Sequence, residues 1–528
     1  MATQEDTHGI QDPPQTIRGI LGRIGPGLII TASIVGSGEL IATTAVGAEA
    51  GFWLLWLIII GCVIKVFVQV ELGRHTIISG RTSLDNLNSV PGPRIARGNW
   101  ILWYGFFMYV AILFQMGGIV GAVGQSMAIS FPLTETGRKY NEVLDAETEL
   151  QVQKRYLALV TERPADDEPA RLSEAAAERQ AAEIRASIDS LNEKLTTLGE
   201  KPENPYDDRT WAVILSVLTA GLLLIGRYGF IQTFSVVLVA AFTVVTLINL
   251  ILLQSDPTLA ISVREFTDGF RFRLPPSTDG TSSVAGLGTA LATFGIIGVG
   301  GSELVTYPYW CLEKGYARFT GPRDDSPEWA ARASGWMRVL RWDAWCSLVI
   351  YTFATVVFYL LGAATLGRFE LDAKGTALIR TLAVMYEPVF GVFALWLFLA
   401  GAFAVLYSTF FVGLAGNARV FSDALYVLRL GIKTQAGKLK LVTVLSGLLP
   451  LMAVATYLLF QKPKFAVLTA GAMQALFLPM LAAAALYFRY RRSDRRLLPG
   501  RLWGFFLWVS AIGMFITASA LLNELLGG

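Results

Sequence analysis

The sequence predicts an all-α polytopic membrane protein with about eleven transmembrane helices and one polar insert. The 528-residue chain is 53% hydrophobic and only 16% charged, and its mean hydropathy is +0.50. Soluble domains average about 25% charged residues. The chain also contains eleven apolar stretches near the length of roughly 20 residues that crosses a bilayer. Its basic residues are concentrated in alternate connections between these stretches.

The eleven predicted spans form two groups that the insert separates. Spans 1 to 3 comprise residues 25–49, 52–71 and 100–130. Spans 4 to 11 comprise residues 210–226, 229–254, 284–310, 342–365, 389–415, 440–460, 464–487 and 502–524. The predicted organisation is a tail over 1–24, helices 1 to 3 within 25–132, the insert over 133–209, and helices 4 to 11 within 210–528.

The distribution of Lys and Arg predicts the orientation. With the N-terminus inside, the cytoplasmic connections hold 24 basic residues and the short external connections hold 8. Cytoplasmic loops are the ones that carry an excess of Lys and Arg. We therefore expect the N-terminus inside and the C-terminus outside, with the bacterial cytoplasmic membrane as the location.

Residues 133–209 are expected to form a helical hairpin outside the bilayer. The segment carries 11 basic and 18 acidic residues. An apolar stripe with alternating spacings of four and three is typical of a packed helix, and its members are Ala177, Ala181, Ile184, Ile188, Leu191, Leu195 and Leu198. Pro164 lies in the predicted turn. Helices rich in charge are usually solvated, so we interpret the hairpin as a structural insertion without its own activity.

Glycine clusters interrupt two of the spans. Span 1 contains "IVGSGEL" at 34–40, and span 6 contains the near-repeat "VGGSEL" at 299–304. Glycine weakens a helix interior by about 1 kcal/mol relative to alanine. Unwound backbone at bilayer depth must face protein or a water-filled cavity. Discontinuous helices in corresponding positions of two halves indicate a transporter's substrate site, and spans 1 and 6 are five apart, as a 5+5 inverted repeat requires.

Each break is followed by a carboxylate, Glu39 or Glu303. A charged residue costs about 2.5–3.5 kcal/mol at a membrane helix centre, so it normally faces the protein interior. We expect the substrate or ion to be bound by Gly36, Ser37, Gly38, Glu39, Val299, Gly300, Gly301, Ser302 and Glu303. An all-oxygen set suits a hard cation, with the two carboxylates as its ligands. The alternative is that both acids only hold the breaks in shape.

Four segments give the chain a resemblance to a known family. They are "GPGLIITAS" in span 1, "ATFGIIG" in span 6, "IGRYGFIQ" between spans 4 and 5, and "YSTFFVGLAGNARV" in span 8. These segments resemble the Nramp divalent-metal transporters, and most closely the divergent Nramp-related magnesium transporters. The resemblance covers nearly all of the membrane part and excludes the insert. It implies a leucine-transporter-type inverted repeat with helices 1 and 6 broken and a cytoplasmic N-terminus.

Departures from the family pattern bear on the substrate. Glu39 ends a motif, Gly-Ser-Gly-Glu, that stands where the transition-metal members have Asp-Pro-Gly-Asn. Ser302 and Glu303 fall where those members have Met-Pro. Loss of the thioether weakens the preference for soft ions. The resemblance therefore implies alternating-access transport of divalent cations, with Mg²⁺ preferred and Mn²⁺ second, and Ser37 and Ser302 offering hydroxyls to the ion's hydration shell.

The sequence also predicts the coupling and the partners. Gln115 and Gly118 occupy the span 3 positions that are acidic in the family, and neither His8 nor His75 lies on a transmembrane proton path. We therefore expect transport without proton coupling, with Gln115 and Gln474 as secondary contacts. The expected partners are the transported divalent cation and the lipid bilayer, with no nucleic acid and no resident cofactor.

Other interpretations remain open at this stage. A "GSG" break also resembles the glycine motif of amino-acid permeases, so an organic-solute transporter is the alternative. A receptor or scaffold working through the hairpin is a third possibility. No GxSxG, HExxH or phosphate-loop motif indicates an enzyme. Lys65 is expected to snorkel to the cytoplasmic interface or to pair with Glu71.

Overall fold

The computed structural model describes residues 9–161, 174–225, 228–276, 284, 286–324 and 326–526. Within these residues the fold is helical apart from a short antiparallel pairing of Arg94–Ile95 with Gly98–Asn99. Nine helices in the described part are long and apolar enough to cross a membrane. The helix Tyr228–Leu253 and one broken span complete the predicted eleven. The predicted fold class is thus confirmed.

The spans keep their predicted order along the chain. They are span 1 (Pro26–Ala50), span 2 (Leu55–Ser79), span 3 (Trp100–Ser130), span 4 (Asp207–Ile225), span 5 (Tyr228–Leu253), span 6 (Leu287–Phe294 and Gly301–Lys314), span 7 (Pro327–Gly367), span 8 (Ala394–Val427), span 9 (Gln435–Phe460), span 10 (Pro463–Arg492) and span 11 (Arg501–Leu525). Short helices at Ile17–Leu21, Ser83–Asn88, Val263–Asp268, Tyr316–Thr320, Leu378–Ala383 and Glu387–Phe390 lie in the connections.

Span 1 lies at the centre of the bundle. In its most apolar stretch 94% of the residues are buried, against 33% in spans 9 and 11. Its α-helix Pro26–Ile34 ends at Val35 and Gly36, which leave helical geometry. A π-helical segment, Ser37–Thr43, follows and leads into the helix Thr44–Ala50. The break therefore falls just before the predicted Ser37 and Gly38, which belong to the π-helical segment.

Span 6 is divided into two helices by an irregular segment at residues 295–300. Gly298 has a φ of +56°, a conformation that favours glycine. A Cβ on Gly295 would lie 1.9 Å from the carbonyl oxygen of Gly471 in span 10, so no larger residue fits there. The Gly301 N–H donates to the Gly295 carbonyl at 3.2 Å and closes the break. Both predicted helix breaks are therefore present.

The polar insert contains two helices, Glu135–Thr161 and Glu174–Leu198, which pack against each other. Ala181, Ile184 and Leu191 of the predicted stripe are buried. The predicted turn at Pro164 lies outside the described residues, as do His8 and part of the segment between spans 4 and 5.

The first insert helix is fastened to the connections that join spans 5 to 6 and 7 to 8. Tyr156 donates to Asp256 Oδ2 at 2.9 Å. Arg380 donates to the backbone and side-chain oxygens of Asn141 and pairs with Asp145. The hairpin therefore lies at the end of the bundle where these two connections lie.

Candidate functional site

A small polar cavity lies beside the two helix breaks. Its volume is about 20 Å³, which is room for about one water molecule. Spans 1, 3, 6 and 8 line it, and its polar lining residues are Ser33, Gln115, Ser302, Glu303, Thr306, Thr409 and Asn417. The contributing parts of spans 1 and 6 are Pro26–Ile34 and Gly301–Lys314, which lie on the side of the N-terminal tail because Tyr316 donates to the Arg23 carbonyl.

Glu303 joins the two broken spans across this cavity. It lies in the first turn of the helix Gly301–Lys314, where the positive end of the helix dipole favours a carboxylate. Ser33 Oγ of span 1 donates to Oε1 at 3.2 Å, and Ser302 Oγ donates to Oε2 at 2.7 Å. Glu303 and Ser33 are partly exposed, whereas most of the surrounding residues are buried. The structure therefore brings a carboxylate and two hydroxyls together at the cavity.

A chain of hydrogen bonds connects the breaks through the two predicted glutamines. Gln115 Nε2 donates to Ser37 Oγ at 3.3 Å, and Gln474 Nε2 donates to Gln115 Oε1 at 3.2 Å. Gln474 Oε1 in turn accepts the Ser302 N–H at 2.9 Å. Four spans, 1, 3, 10 and 6, thus share one polar network. Both glutamines therefore lie next to the breaks, and their role as secondary contacts of the substrate stays a prediction.

Glu39 occupies a different position from Glu303. Its side chain is fully buried, and Oε1 accepts a hydrogen bond from Thr355 Oγ1 of span 7 at 2.9 Å. Oε2 has no hydrogen-bond partner among the described residues. Glu39 is not among the residues that line the cavity of Glu303. The structure thus points Glu39 toward span 7 and Glu303 toward spans 3 and 8.

The predicted glycines allow close approach at the breaks. A Cβ on Gly36 would lie 1.7 Å from Thr409 Oγ1, and one on Gly300 would lie 2.6 Å from Glu303 Oε2. A Cβ on Gly38 would lie 3.4 Å from the Ile296 carbonyl, so the breaks of spans 1 and 6 face each other. Gly301 packs against Gln474, and Val299 is fully buried.

Most of the cavity residues were not predicted from the sequence as site residues, and Ser33 and Met116 are the two that bear most on ion binding. Ser33 is an ordinary hydroxyl within an apolar helix, and no sequence signal distinguishes it. Met116 of span 3 lines the same cavity and is 4% exposed. Its neighbour Gln115 was identified, but adjacent residues of a helix point in different directions, so the sequence did not indicate that both line the cavity. A thioether is therefore present at the cavity, although the span 6 motif lacks one.

Two further buried ionic groups act on the broken helices. Asp343 of span 7 accepts the Gly25 N–H at 2.7 Å, the Gly27 N–H at 2.6 Å and the Tyr307 hydroxyl at 2.9 Å. Asp343 could have been identified from the sequence, because it is an acid within an apolar stretch. The expectation that Lys65 snorkels was wrong, because its side chain is fully buried and binds backbone carbonyls of span 6.

Comparison with known proteins gives structural relatives only. No protein-family model and no curated protein matches the chain. A manganese transporter from Eremococcus coleocola, in a histidine-to-alanine variant, is similar with a TM-score of 0.58 at 13% identity, over 98% of this chain and 90% of that one. A glutamate-to-alanine variant of that transporter gives 0.57 at 14% identity, over 98% and 90%.

The same transporter in complex with an aromatic bis-isothiourea compound gives a TM-score of 0.55 at 14% identity, over 98% of this chain and 91% of that one. The TM-scores establish a shared fold, and identities this low establish nothing beyond the fold. The chain is therefore an integral membrane protein with an Nramp-like fold, as the resemblance implied, and the proteins that it resembles are transporters.

Proposed function

We propose that this protein is a transporter of divalent cations, with Mg²⁺ as the preferred ion and Mn²⁺ as the second. The observation that carries the proposal is Glu303, a partly exposed carboxylate that joins both broken spans at one polar cavity. Broken helices at the membrane midplane are a general device for binding substrate in transporters. The shared fold with solved manganese transporters supports a metal as the substrate.

The ligand chemistry favours a hard, partly hydrated ion. Among the described residues there is no group of three or more His, Cys, Asp or Glu side chains that could hold a metal. The other possible ligands of an ion at Glu303 are hydroxyls, amide oxygens, backbone carbonyls and water, with the Met116 thioether as the one soft donor among the described lining residues. Mg²⁺ sheds its waters reluctantly and typically uses only one or two carboxylates. Ser33 and Ser302 are placed to bind waters of such a shell.

We propose that the ion binds at Glu303 first and at Glu39 second. The ion first reaches Glu303, which is accessible, and approaches Glu39 when spans 1 and 6 rearrange. Oε2 of Glu39 has no hydrogen-bond partner among the described residues, so it can accept a hydrogen bond or bind a cation. Because the present cavity holds about one water, a hydrated ion requires it to widen, as rocking of one helix bundle against another provides.

We further propose that transport is not coupled to protons. The cavity contains an amide, Gln115, at the span 3 position and no histidine among its lining residues. His75 of span 2 stacks on the ring of Phe488, with 4.1 Å between the ring centroids, and does not line the cavity. The ion then moves down its own gradient, from the side that holds the higher concentration.

The test is uptake of Mg²⁺, Mn²⁺ and Ca²⁺ into proteoliposomes. Glu303→Gln is expected to lower Mg²⁺ uptake by about tenfold or more, because Glu303 is the one carboxylate among the described residues that line the cavity. Glu313→Gln is the matched control, since Glu313 lies on the same helix and pairs with Arg419 outside the cavity. Its uptake should stay within about twofold of the unmodified protein.

Four results would count against the proposal or a part of it. The absence of divalent-cation uptake by the unmodified protein in sealed vesicles would remove it, and cation-dependent uptake of an amino acid would favour the organic-solute alternative. Equal loss of uptake in Glu303→Gln and Glu313→Gln would show that the cavity is not the site. Acidification of the vesicle interior during Mg²⁺ entry would contradict the uncoupled mechanism alone.

A further inference from the structure

The side chain of Lys65 ends inside the break of span 6. Its ammonium donates to the carbonyl oxygen of Phe294, and to that of Ile297 at 2.7 Å. It also lies 4.6 Å from the centroid of the Phe294 ring, which adds a cation–π contact. The residue is fully buried. A lysine of span 2 therefore binds the backbone of span 6 about 230 positions further along the chain.

These carbonyls are a natural cation site. The helix Leu287–Phe294 ends at the break, and the negative end of its dipole lies there. The carbonyls of Ala292 and Thr293 accept N–H groups of residues 295–297, whereas those of Phe294 and Ile297 accept the Lys65 ammonium. In transporters with broken helices, such carbonyls coordinate a monovalent cation. Here the position is taken by an ammonium group that is covalently part of the chain.

The charge of Lys65 also acts on the two carboxylates at the breaks. Glu39 and Glu303 both lie within electrostatic range of the ammonium. Its two hydrogen bonds go to carbonyls rather than to either carboxylate, so both acids stay available to an arriving cation. A positive charge held beside the two carboxylates offsets the cost of burying anions without occupying their oxygens.

We propose that Lys65 is a tethered cation that fills a monovalent-cation site at the span 6 break, so that transport needs no Na⁺ or K⁺ there. Lys65 is thus a positioning residue, which acts through the backbone of residues 294–297 and not by touching the transported ion. The inference rests on the proposed function where it concerns coupling, but its structural part can be tested without transport.

Chemical rescue is the direct test. Lys65→Ala deletes the atoms of a propylammonium ion and leaves the two carbonyls exposed in a cavity. In buffer with choline as the sole monovalent cation, this variant should melt at a lower temperature than the unmodified protein. Added n-propylammonium should raise its melting temperature by about 3 °C or more through binding to the folded state, and Na⁺ should also raise it.

Two control variants separate a specific site from general effects. Lys65→Met fills the cavity with an uncharged chain, so its melting temperature should not respond to either cation. Gln69→Met removes a buried polar group one turn further along span 2 and should not create a cation response. Equal shifts in all three variants, or no shift in Lys65→Ala, would overturn the proposal.

The unmodified protein provides a second test should Lys65→Ala fail to fold. Its divalent-cation uptake should be the same within twofold in choline, Na⁺ and K⁺ media, and a strict requirement for one of these ions would overturn the inference. If n-propylammonium stabilises Lys65→Ala but the unmodified protein moves no divalent cation, the proposed function is wrong and the inference that Lys65 is a tethered cation stands. Divalent-cation uptake by the unmodified protein, without rescue of Lys65→Ala by n-propylammonium, would support the proposed function and overturn the tethered cation.

Discussion

The bond between Asp343 and the start of span 1 gives the sharpest quantitative prediction. Asp343 is 1% exposed and receives three hydrogen bonds, from the Gly25 N–H, the Gly27 N–H and the Tyr307 hydroxyl. These donors belong to spans 1 and 6, and Asp343 to span 7. The perturbation is Asp343→Asn, which keeps the shape of the side chain and removes its charge. We expect the helix Pro26–Ile34 to detach more often from span 7.

The magnitude follows from the number of bonds. A hydrogen bond to a charged group contributes about 1.5–3 kcal/mol, against about 0.5–1.5 kcal/mol between neutral groups. Asparagine has a single acceptor oxygen, so with that oxygen at the Oδ2 position the Gly25 N–H loses its bond, at a cost of about 1.5–3 kcal/mol. The bonds from Gly27 and Tyr307 become bonds to a neutral group and weaken, and loss of the anion at the helix N-terminus acts in the same direction. A total of about 3 kcal/mol corresponds to roughly a 100-fold increase in local opening, since about 1.4 kcal/mol is a factor of ten.

Hydrogen exchange followed by mass spectrometry measures this opening. Peptides that cover residues 26–34 should exchange roughly 100-fold faster in Asp343→Asn when exchange is limited by the opening equilibrium. Asp423→Asn is the matched control, because Asp423 is a buried acid that binds Tyr309 and Lys438 and not span 1. A change in Asp343→Asn below about threefold, or an equal change in the control, would refute the reasoning.

Three further predictions concern the break of span 1, the transported ion and a buried acid, Glu387, in the connection between spans 7 and 8. Gly36→Ala should abolish uptake, because the new Cβ would lie 1.7 Å from Thr409 Oγ1, whereas Gly221→Ala in span 4 meets nothing within 4 Å and should leave uptake unchanged. Met116→Leu should lower Mn²⁺ uptake relative to Mg²⁺ by up to about tenfold in a competition assay, because the cavity loses its thioether; an unchanged ratio would show that the sulfur is no ligand. Burial, and then repulsion from Glu149, raises the pKa of Glu387 from 4.5 to about 7. The folded state therefore binds this proton more tightly than the unfolded state, so stability falls by roughly 3 kcal/mol as the pH rises from about 4.5 to 7. Melting curves of Glu387→Gln should lack this part of the pH dependence, and an identical pH profile in the variant would contradict the assignment.

The overall fold could be predicted because a bilayer imposes strict rules on the chain. Every span needs a certain apolar length, and unwound backbone at bilayer depth is tolerated only inside the protein. Hydropathy therefore predicted eleven spans, and the glycine clusters predicted the breaks near Gly36 and Gly298. Some boundaries could not be predicted, since span 7 begins at Pro327 rather than near residue 342, and span 8 ends at Val427 rather than near residue 415.

The difference between the two carboxylates could not be predicted. Glu39 and Glu303 follow almost identical motifs, but Glu303 begins an α-helix while Glu39 lies in a π-helical segment. The wider π turn directs the Glu39 side chain to Thr355 in span 7. No local sequence signal specifies a π-helix, so the direction in which the Glu39 side chain points depends on packing between distant spans. Whether either acid binds an ion stays a prediction.

Long-range backbone contacts were also invisible in the sequence. Lys65 was within snorkelling distance only of the predicted end of span 2, whereas the helix continues to Ser79. Its carbonyl partners at Phe294 and Ile297 become neighbours only in the folded bundle. Asp343 likewise meets Gly25 more than 300 residues away in the chain. Side-chain chemistry indicated that these groups need partners, but only the tertiary structure identifies them.

Anomalous scattering from Mn²⁺-soaked crystals would test the central claim most directly, because it locates the ion independently of transport. The account predicts a peak in the cavity bounded by Ser33, Ser302 and Glu303, which is lost in Glu303→Gln and retained in Glu313→Gln. A peak outside this cavity, or one that persists without the Glu303 carboxylate, would contradict the proposal that this carboxylate is where the protein receives its ion.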